Sequence, residues 1–218
     1  MTTDTGLDEM RSWLLTEHHE TVDPARLGHV RAELERVVRD GVPGPVAELG
    51  CYRGAMTLWM RAVLDACGDD RAIHVFDSFE GLPDTTEEDE IVMPSGVFAC
   101  SPDDLLAAFD TWGRRRPEVH PGWFDSTLRD QLPDRIAFGY LDGDLYASTL
   151  VSLTECVPRL APGGALIIDD YTDPAAGPDT IAPFPGVKAA CDAYFEGRSP
   201  VETLPGDVAY GRLRRERG

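Results

Sequence analysis

Basic residues are scarce and long apolar runs are absent, and each shortage removes a class of function. Lys and Arg number 20 against 39 Asp and Glu, a formal net charge of −19, so the polyanionic backbone of nucleic acid is repelled rather than gathered. No apolar stretch approaches the length of a bilayer crossing, and the opening MTTDTGLDEM has neither a basic leader nor an apolar run behind it. A cytoplasmic chain without a membrane partner is therefore expected. Cys51, Cys67, Cys100, Cys156 and Cys191 are odd in number, scattered and without a C-x-x-C pair, which argues against both a disulfide framework and a zinc site. They read as reduced thiols, mostly buried. Of the histidines, His18, His19 and His29 fall in predicted helices and His74 and His120 in predicted strands. No pair has ligand spacing with a carboxylate partner on a shared face, so core or surface placement is expected and no catalytic histidine is assigned.

What the chain does have is material for one core. With 218 residues and 42% hydrophobic content, it matches a single α/β domain with appendages. Residues 1–41 read as an N-terminal helical cap, with helices over Leu7–Glu20 and Pro24–Asp40 and Asp23 as the N-cap of the second. GVPGP (41–45) breaks the chain, and strands and helices alternate through residues 42–218. PVAEL is a short buried strand, followed by a helix over Ala55–Ala66, the strand AIHVF (72–76), a helix near Pro102–Thr111 and a strand around Val119–Trp123. The strand IAFGYLD comes next, then a helix over Ala147–Leu160 stopped by Pro162-Gly163-Gly164, and the strand ALIID. A helix near Val187–Phe195 precedes VETLP and VAYGRL, which are close enough to pair as an antiparallel hairpin. This rhythm predicts a doubly wound, mostly parallel, Rossmann-like sheet. The one long irregular stretch, Asp77–Cys100, is acidic, carries Pro and Gly, and leaves a strand end, which favours a lid over a site.

Chemistry collects at the strand ends. The first strand leads into Glu48-Leu-Gly50-Cys-Tyr-Arg-Gly54, where glycines let a ligand approach the backbone and Glu48 can face an amine. The G-x-x-x-G spacing departs from the G-x-G-x-x-G of dinucleotide sites. Asp77, with Ser78 beside it, ends the second strand some twenty residues on, where a carboxylate can accept both hydroxyls of a ribose. LDGDLYAST then places Asp142 and Asp144 one glycine apart, and ALII ends in Asp169-Asp170. Neighbouring strands would bring Asp142, Asp169 and Asp170 together, and carboxylates so placed repel unless a hard divalent cation joins them. Asp144 alone also reads as a cap of the helix that follows.

Together ELGCYRG, FDSF, PGWFDSTL, LDGDLYAST and GGALIIDDY resemble the macrocin O-methyltransferase (TylF-like) family over most of the chain, from about Val42 onward. That resemblance implies a class I methyltransferase sheet, S-adenosylmethionine and Mg²⁺ as cofactors, and a hydroxyl of a deoxysugar or related natural product as the methyl acceptor. It implies that Gly50, Tyr52 and Gly54 frame the methionine portion of the cofactor near Glu48, that Asp77 holds the ribose, and that Phe124 and Asp125 lie beside the adenine. Asp142, Asp169 and Asp170 would bind magnesium. Either Asp142 or Asp144 would accept the proton, with Asp142 favoured as a member of the metal set. Where the family often has Tyr-Glu-Ser-Thr, this chain has Tyr146-Ala147-Ser148-Thr149, so a role for that glutamate is in doubt. A homo-oligomer is compatible with all of this.

Other readings account for fewer residues. A catechol-type O-methyltransferase acting on a phenol uses a lysine shortly after the first metal aspartate, and none stands there. A D-x-D glycosyltransferase leaves Glu48–Gly54 and Asp169-Asp170 idle. A D-x-D phosphatase expects its motif after the first strand and a small residue at Tyr146. A cofactor-binding scaffold without catalysis leaves intact acids unexplained.

Overall fold

Two central segments are apolar on both sides. VAEL of β1 (Val46–Leu49) and IAFGYL of β4 (Ile136–Leu141) are buried at every position, the pattern of strands covered by helices on both faces. The computed structural model describes residues 3–173, 183–206 and 210–217. The other strands are β2 (Ile73–Asp77), β3 (Glu118–Pro121), β5 (Leu160–Asp169), β6 (Glu202–Leu204) and β7 (Tyr210–Arg214), and the seven form one sheet in the order β3-β2-β1-β4-β5-β7-β6. β1 to β5 run parallel, whereas β7 is antiparallel to both β5 and β6. The predicted mostly parallel sheet and closing hairpin are both present; the start of VAYGRL lies outside the described residues. Strand order reverses between β1 and β4, which opens a crevice at their carboxyl ends.

Helices α1 (Thr3–Glu17), α2 (Pro24–Arg39), α3 (Ala55–Ala66) and α4 (Pro102–Trp112) cover one face, and α5 (Phe124–Gln131), α6 (Tyr146–Arg159) and α7 (Pro185–Tyr194) the other. β5 supplies both layers by alternation: Ala165 and Ile167 enter the first core, Leu166 and Ile168 the second. α3 is buried at each residue from Ala55 to Leu64, because α1 and α2 pack over its outer side. Met10, Leu14, Leu27, Val30 and Leu34 of those two helices thus join the core shared with β1 and β4. Local chemistry sets the ends of α2: Asp23 accepts from the amides of Ala25 and Arg26, and Pro24 takes the first turn.

Four elements differ from expectation. α5, unforeseen, follows Trp123 directly, and β3 stops at Pro121. α1 runs Thr3–Glu17 rather than Leu7–Glu20. β5 begins at Leu160 instead of Ala165, because the Pro-Gly-Gly run has backbone partners: Gly163 N–H donates to Arg215 O at 2.8 Å and Arg215 N–H to Gly164 O at 3.0 Å.

Candidate active site

The turn between β1 and α3 is built around close backbone contact. Gly50 has φ 87°, and a Cβ there would overlap the carbonyl oxygen of Asp142. Only glycine therefore allows the β1 and β4 ends to meet. Asp77 clamps the same turn: its Oδ2 accepts from the amides of Cys51 at 2.8 Å and Tyr52 at 3.1 Å, while Oδ1 accepts from Phe79 N–H at 2.8 Å. Ser78 stabilises the next turn, its hydroxyl donating to Gly81 O at 3.0 Å and accepting from Glu80 N–H at 3.1 Å. Glu48 is buried and accepts a hydrogen bond from the Thr57 hydroxyl. Burial pushes its carboxyl up to about 8, against the Thr57 bond and with help from the Asp77 charge.

Adjacent pairing of β4 and β5 brings the four aspartates to one place. Carboxylate oxygens of Asp142, Asp144 and Asp170 lie within 4.8 Å of one another. Asp169 is held from behind, its Oδ2 accepting from Tyr140 Oη at 2.8 Å and pairing with Arg26 Nη2 at 2.9 Å, while its Oδ1 is buried without a partner. Asp144 thus stands with Asp142 and Asp170 in the place expected of Asp169, which lies beside them against Arg26 and Tyr140. It does not cap α6, whose N-cap is Leu145 with no side-chain bond. Burial and mutual repulsion push Asp142 and Asp170 well up and Asp144 to about 7, with Arg26 opposing. Among the described residues, Arg26 is the only cation paired with any of the four. Oxygen donors alone, an unpartnered buried Oδ1 and a deficit of positive charge suit a hard divalent ion.

These groups line a cavity of ≈ 340 Å³ at the carboxyl ends of the strands. Glu48, Gly50, Tyr52, Asp77, Ser78, Phe124, Asp142, Asp144, Asp169 and Asp170 all reach it. Gly54 does not line it; with φ 77° it opens α3 against Leu105. Asp125 is exposed and accepts from its neighbour Ser126 Oγ at 2.9 Å.

Residues beyond those foreseen also contribute. Thr21, Val22 and Arg26 come from the start of α2 and the loop before it, and Arg26 Nη1 donates to Thr21 O. Arg26 carries no local sequence signal, since only the packing of α2 against the sheet brings it to Asp169. The Asp77–Cys100 segment forms a wall through Leu82, Pro83 and Phe98. Its ends are pinned by Leu82 N–H to Val97 O at 2.8 Å and Gly96 N–H to Leu82 O at 2.9 Å. Midway, the buried Asp89 accepts from Tyr146 N–H, the first residue of α6, at 2.6 Å.

Comparison with known proteins places this geometry. A family model described as macrocin-O-methyltransferase (TylF) matches residues 11–185. Over 163 residues the chain is 41% identical to the 8-demethyl-8-(2,3-dimethoxy-alpha-L-rhamnosyl)-tetracenomycin-C 4'-O-methyltransferase of Streptomyces olivaceus, covering 70% of this chain and 62% of that one. The match thus spans under two thirds of that relative. The mycinamicin III 3''-O-methyltransferase of Micromonospora griseorubida is 37% identical over 172 residues, covering 73% of this chain and 68% of that one. Among solved structures, the O-methyltransferase NovP superposes with a TM-score of 0.82 at 29% identity, covering 99% of this chain and 100% of the other.

Proposed function

The chain belongs to the macrocin-O-methyltransferase (TylF) family, and on that premise we propose that it transfers a methyl group from S-adenosylmethionine to a hydroxyl of a sugar-bearing natural product, with Mg²⁺ bound at the aspartate cluster. The observation that carries this reading is the convergence, in one cavity, of a glycine turn with a buried acid and a set of carboxylates short of positive charge. A sulfonium methyl is already an activated electrophile, so the remaining work is to align an acceptor oxygen and lower the cost of deprotonating it.

Gly50 and Tyr52 shape the floor for the methionine portion, and Glu48 faces its ammonium. Asp77 has two parts to play: it fixes the turn through the Cys51 and Tyr52 amides, and its remaining lone pairs face the ribose. Phe124 and Trp123 supply apolar wall for the adenine. Asp142, Asp169 and Asp170, with Asp144 beside them, are the residues that would hold the ion. Bound there, it supplies Lewis-acid stabilisation of the oxygen that attacks and a fixed point for orienting a diol. Arg26 and Tyr140 hold Asp169 in place from behind. Asp142 and Asp144 are the two groups that can accept the hydroxyl proton. The rhamnosyl acceptor in the name of the Streptomyces relative is the first substrate to try.

Two measurements test the reading. Calorimetry with S-adenosylhomocysteine should show binding in EDTA as well as in Mg²⁺, because the cofactor is held by other strand ends. Methyl transfer to the rhamnosylated acceptor should stop in EDTA and return with Mg²⁺ or Mn²⁺. Full activity after exhaustive chelation would remove the metal from the mechanism, and no binding of S-adenosylhomocysteine would remove the methyltransferase reading itself.

A further inference from the structure

At the β3 edge of the sheet, a second set of donor side chains of different chemistry gathers. β2 and β3 pair with His74 opposite Glu118 and Phe76 opposite His120, and alternation along a strand puts all four on one face. The two histidines are 46 residues apart in sequence, and only strand register unites them. This corrects the expectation that no histidine pair shares a face with a carboxylate.

Their geometry is close to that of a chelate. His74 Nδ1 lies 3.1 Å from His120 Nε2 and 3.5 Å from Glu118 Oε2, and donor atoms of all three residues fall within 4.8 Å of one another. Ligands at about 2.0–2.1 Å from a tetrahedral ion stand roughly 3.3 Å apart. His120 Nδ1 is 2.9 Å from Gln131 Oε1, an acceptor, so the ring hydrogen sits on Nδ1 and the lone pair on Nε2 faces His74. The ring is seated on Phe76, with centroids 4.4 Å apart. A histidine whose second nitrogen is fixed by a carbonyl has its tautomer and direction set for coordination. Without an ion, His74 Nδ1–H donates to His120; moving that hydrogen to Nε2 frees the lone pair. The Glu118 side chain is 58% exposed, which leaves the outer side open to water.

We propose that His74, His120 and Glu118 form a site for a borderline divalent transition-metal ion such as Zn²⁺, with water completing its coordination. Two imidazole nitrogens distinguish it from the all-oxygen aspartate cluster, which suits Mg²⁺. It uses no thiolate, so the cysteine pattern never bore on it. An ion here joins the short edge strand β3 to β2, and β3 runs directly into Trp123 and Phe124 of the cavity wall.

The test uses the whole chain, stripped by a chelator, dialysed into excess Mg²⁺ to occupy the aspartates, and titrated with Co²⁺. One equivalent should bind with the visible absorption of a four- or five-coordinate site bearing nitrogen ligands, and Zn²⁺ should displace it and raise the melting temperature. His74→Ala and His120→Ala should each abolish the band while Asp170→Asn keeps it, and Gln131→Ala should weaken binding roughly 10–100-fold. If His74→Ala does not fold, His74→Gln replaces it. Absence of the band in the wild-type chain, or its survival in the double histidine variant, overturns the proposal.

Discussion

The molecule buries acids in two opposite ways. Where α2 meets β7, Glu33 is 2% exposed and meets three arginines: Arg36 Nε at 2.9 Å, Arg212 Nη1 at 3.0 Å, and Arg214. Burial alone would raise its pKa, but the bonds from Arg214 and Arg36 outweigh it and hold the carboxyl below its ordinary value. At the ends of β4 and β5, four aspartates share Arg26 alone among the described residues, and their pKa values rise. One region carries its own counterions and is complete as folded. The other is left short of positive charge, as expected of a place that receives a cation from outside.

The contrast is sharpest in a pair of substitutions. Asp170→Asn should slow methyl transfer by about 4 kcal/mol of barrier, roughly a thousandfold, yet leave the melting temperature of the metal-free protein unchanged or higher, because a carboxyl that burial and its neighbours hold well above its ordinary pKa is gone. Glu33→Gln should do the reverse. It strands arginines and should cost about 3 kcal/mol of stability, near the low end for a broken buried pair, since Arg214 is 45% exposed and can rehydrate. Turnover per folded molecule should stay as in the wild type. Denaturation and single-turnover assays on both variants decide the matter. If Asp170→Asn unfolds the chain as readily as Glu33→Gln, the aspartates are structural and the comparison collapses.

The two buried glutamates should also respond to pH with opposite signs. Glu33, depressed below the ordinary 4.5, contributes stability above that value and loses it as pH falls through its folded pKa. Glu48, raised from 4.5 to about 8, contributes stability below 4.5 and loses it as pH rises through about 8. Glu48→Gln should therefore gain on the wild type between about pH 6 and pH 9. The same shift predicts that cofactor binding near neutrality releases up to about one proton, as an ammonium draws the neutral Glu48 into its charged form. Calorimetry in two buffers of different ionisation enthalpy reads this directly. Heats independent of buffer would separate Glu48 from the ammonium.

How much of this was open to reading from the sequence depended on whether the signal was local. α3 was expected over Ala55–Ala66 and occupies those residues, because an apolar run sits between a glycine turn and a charged break. The neighbouring ends of β4 and β5 followed from βαβ rhythm, and with them the meeting of the aspartates. α5 left little trace: FDSTLRDQ buries only Thr127 and Leu128 and has no side-chain cap. The start of β5 was hidden because Pro162-Gly163-Gly164 is a stop signal in isolation and becomes strand only when Arg215 pairs with it. Arg26, Asp89 and the His74–His120 pair depend on contacts between distant segments, which no periodicity encodes.

The smallest expected effect concerns a third way of burying an acid. Asp89 is 1% exposed, yet among the described residues no lysine or arginine pairs with it; backbone and hydroxyl donors do. Its Oδ1 accepts from Tyr146 N–H at 2.6 Å, and its Oδ2 from Thr86 N–H at 2.8 Å and Thr86 Oγ1 at 3.2 Å. Because Leu145 gives α6 no cap of its own, a carboxylate from the Asp77–Cys100 segment caps that helix, and Gly186 of α7 leaves room for it, since a Cβ there would overlap Oδ1. The segment is thereby tied to the helix that begins two residues after Asp144. Asp89→Ala should cost about 1 kcal/mol, the scale of a lost cap, and should speed proteolysis within residues 82–97. Asp89→Asn keeps one acceptor oxygen for the Tyr146 amide but turns its NH2 toward the Thr86 N–H, so it should restore only part of the loss. If asparagine proves as damaging as alanine, the cap on Tyr146 is not what Asp89 contributes, and the division into acids held by arginines, by amides and by an incoming ion fails at this residue.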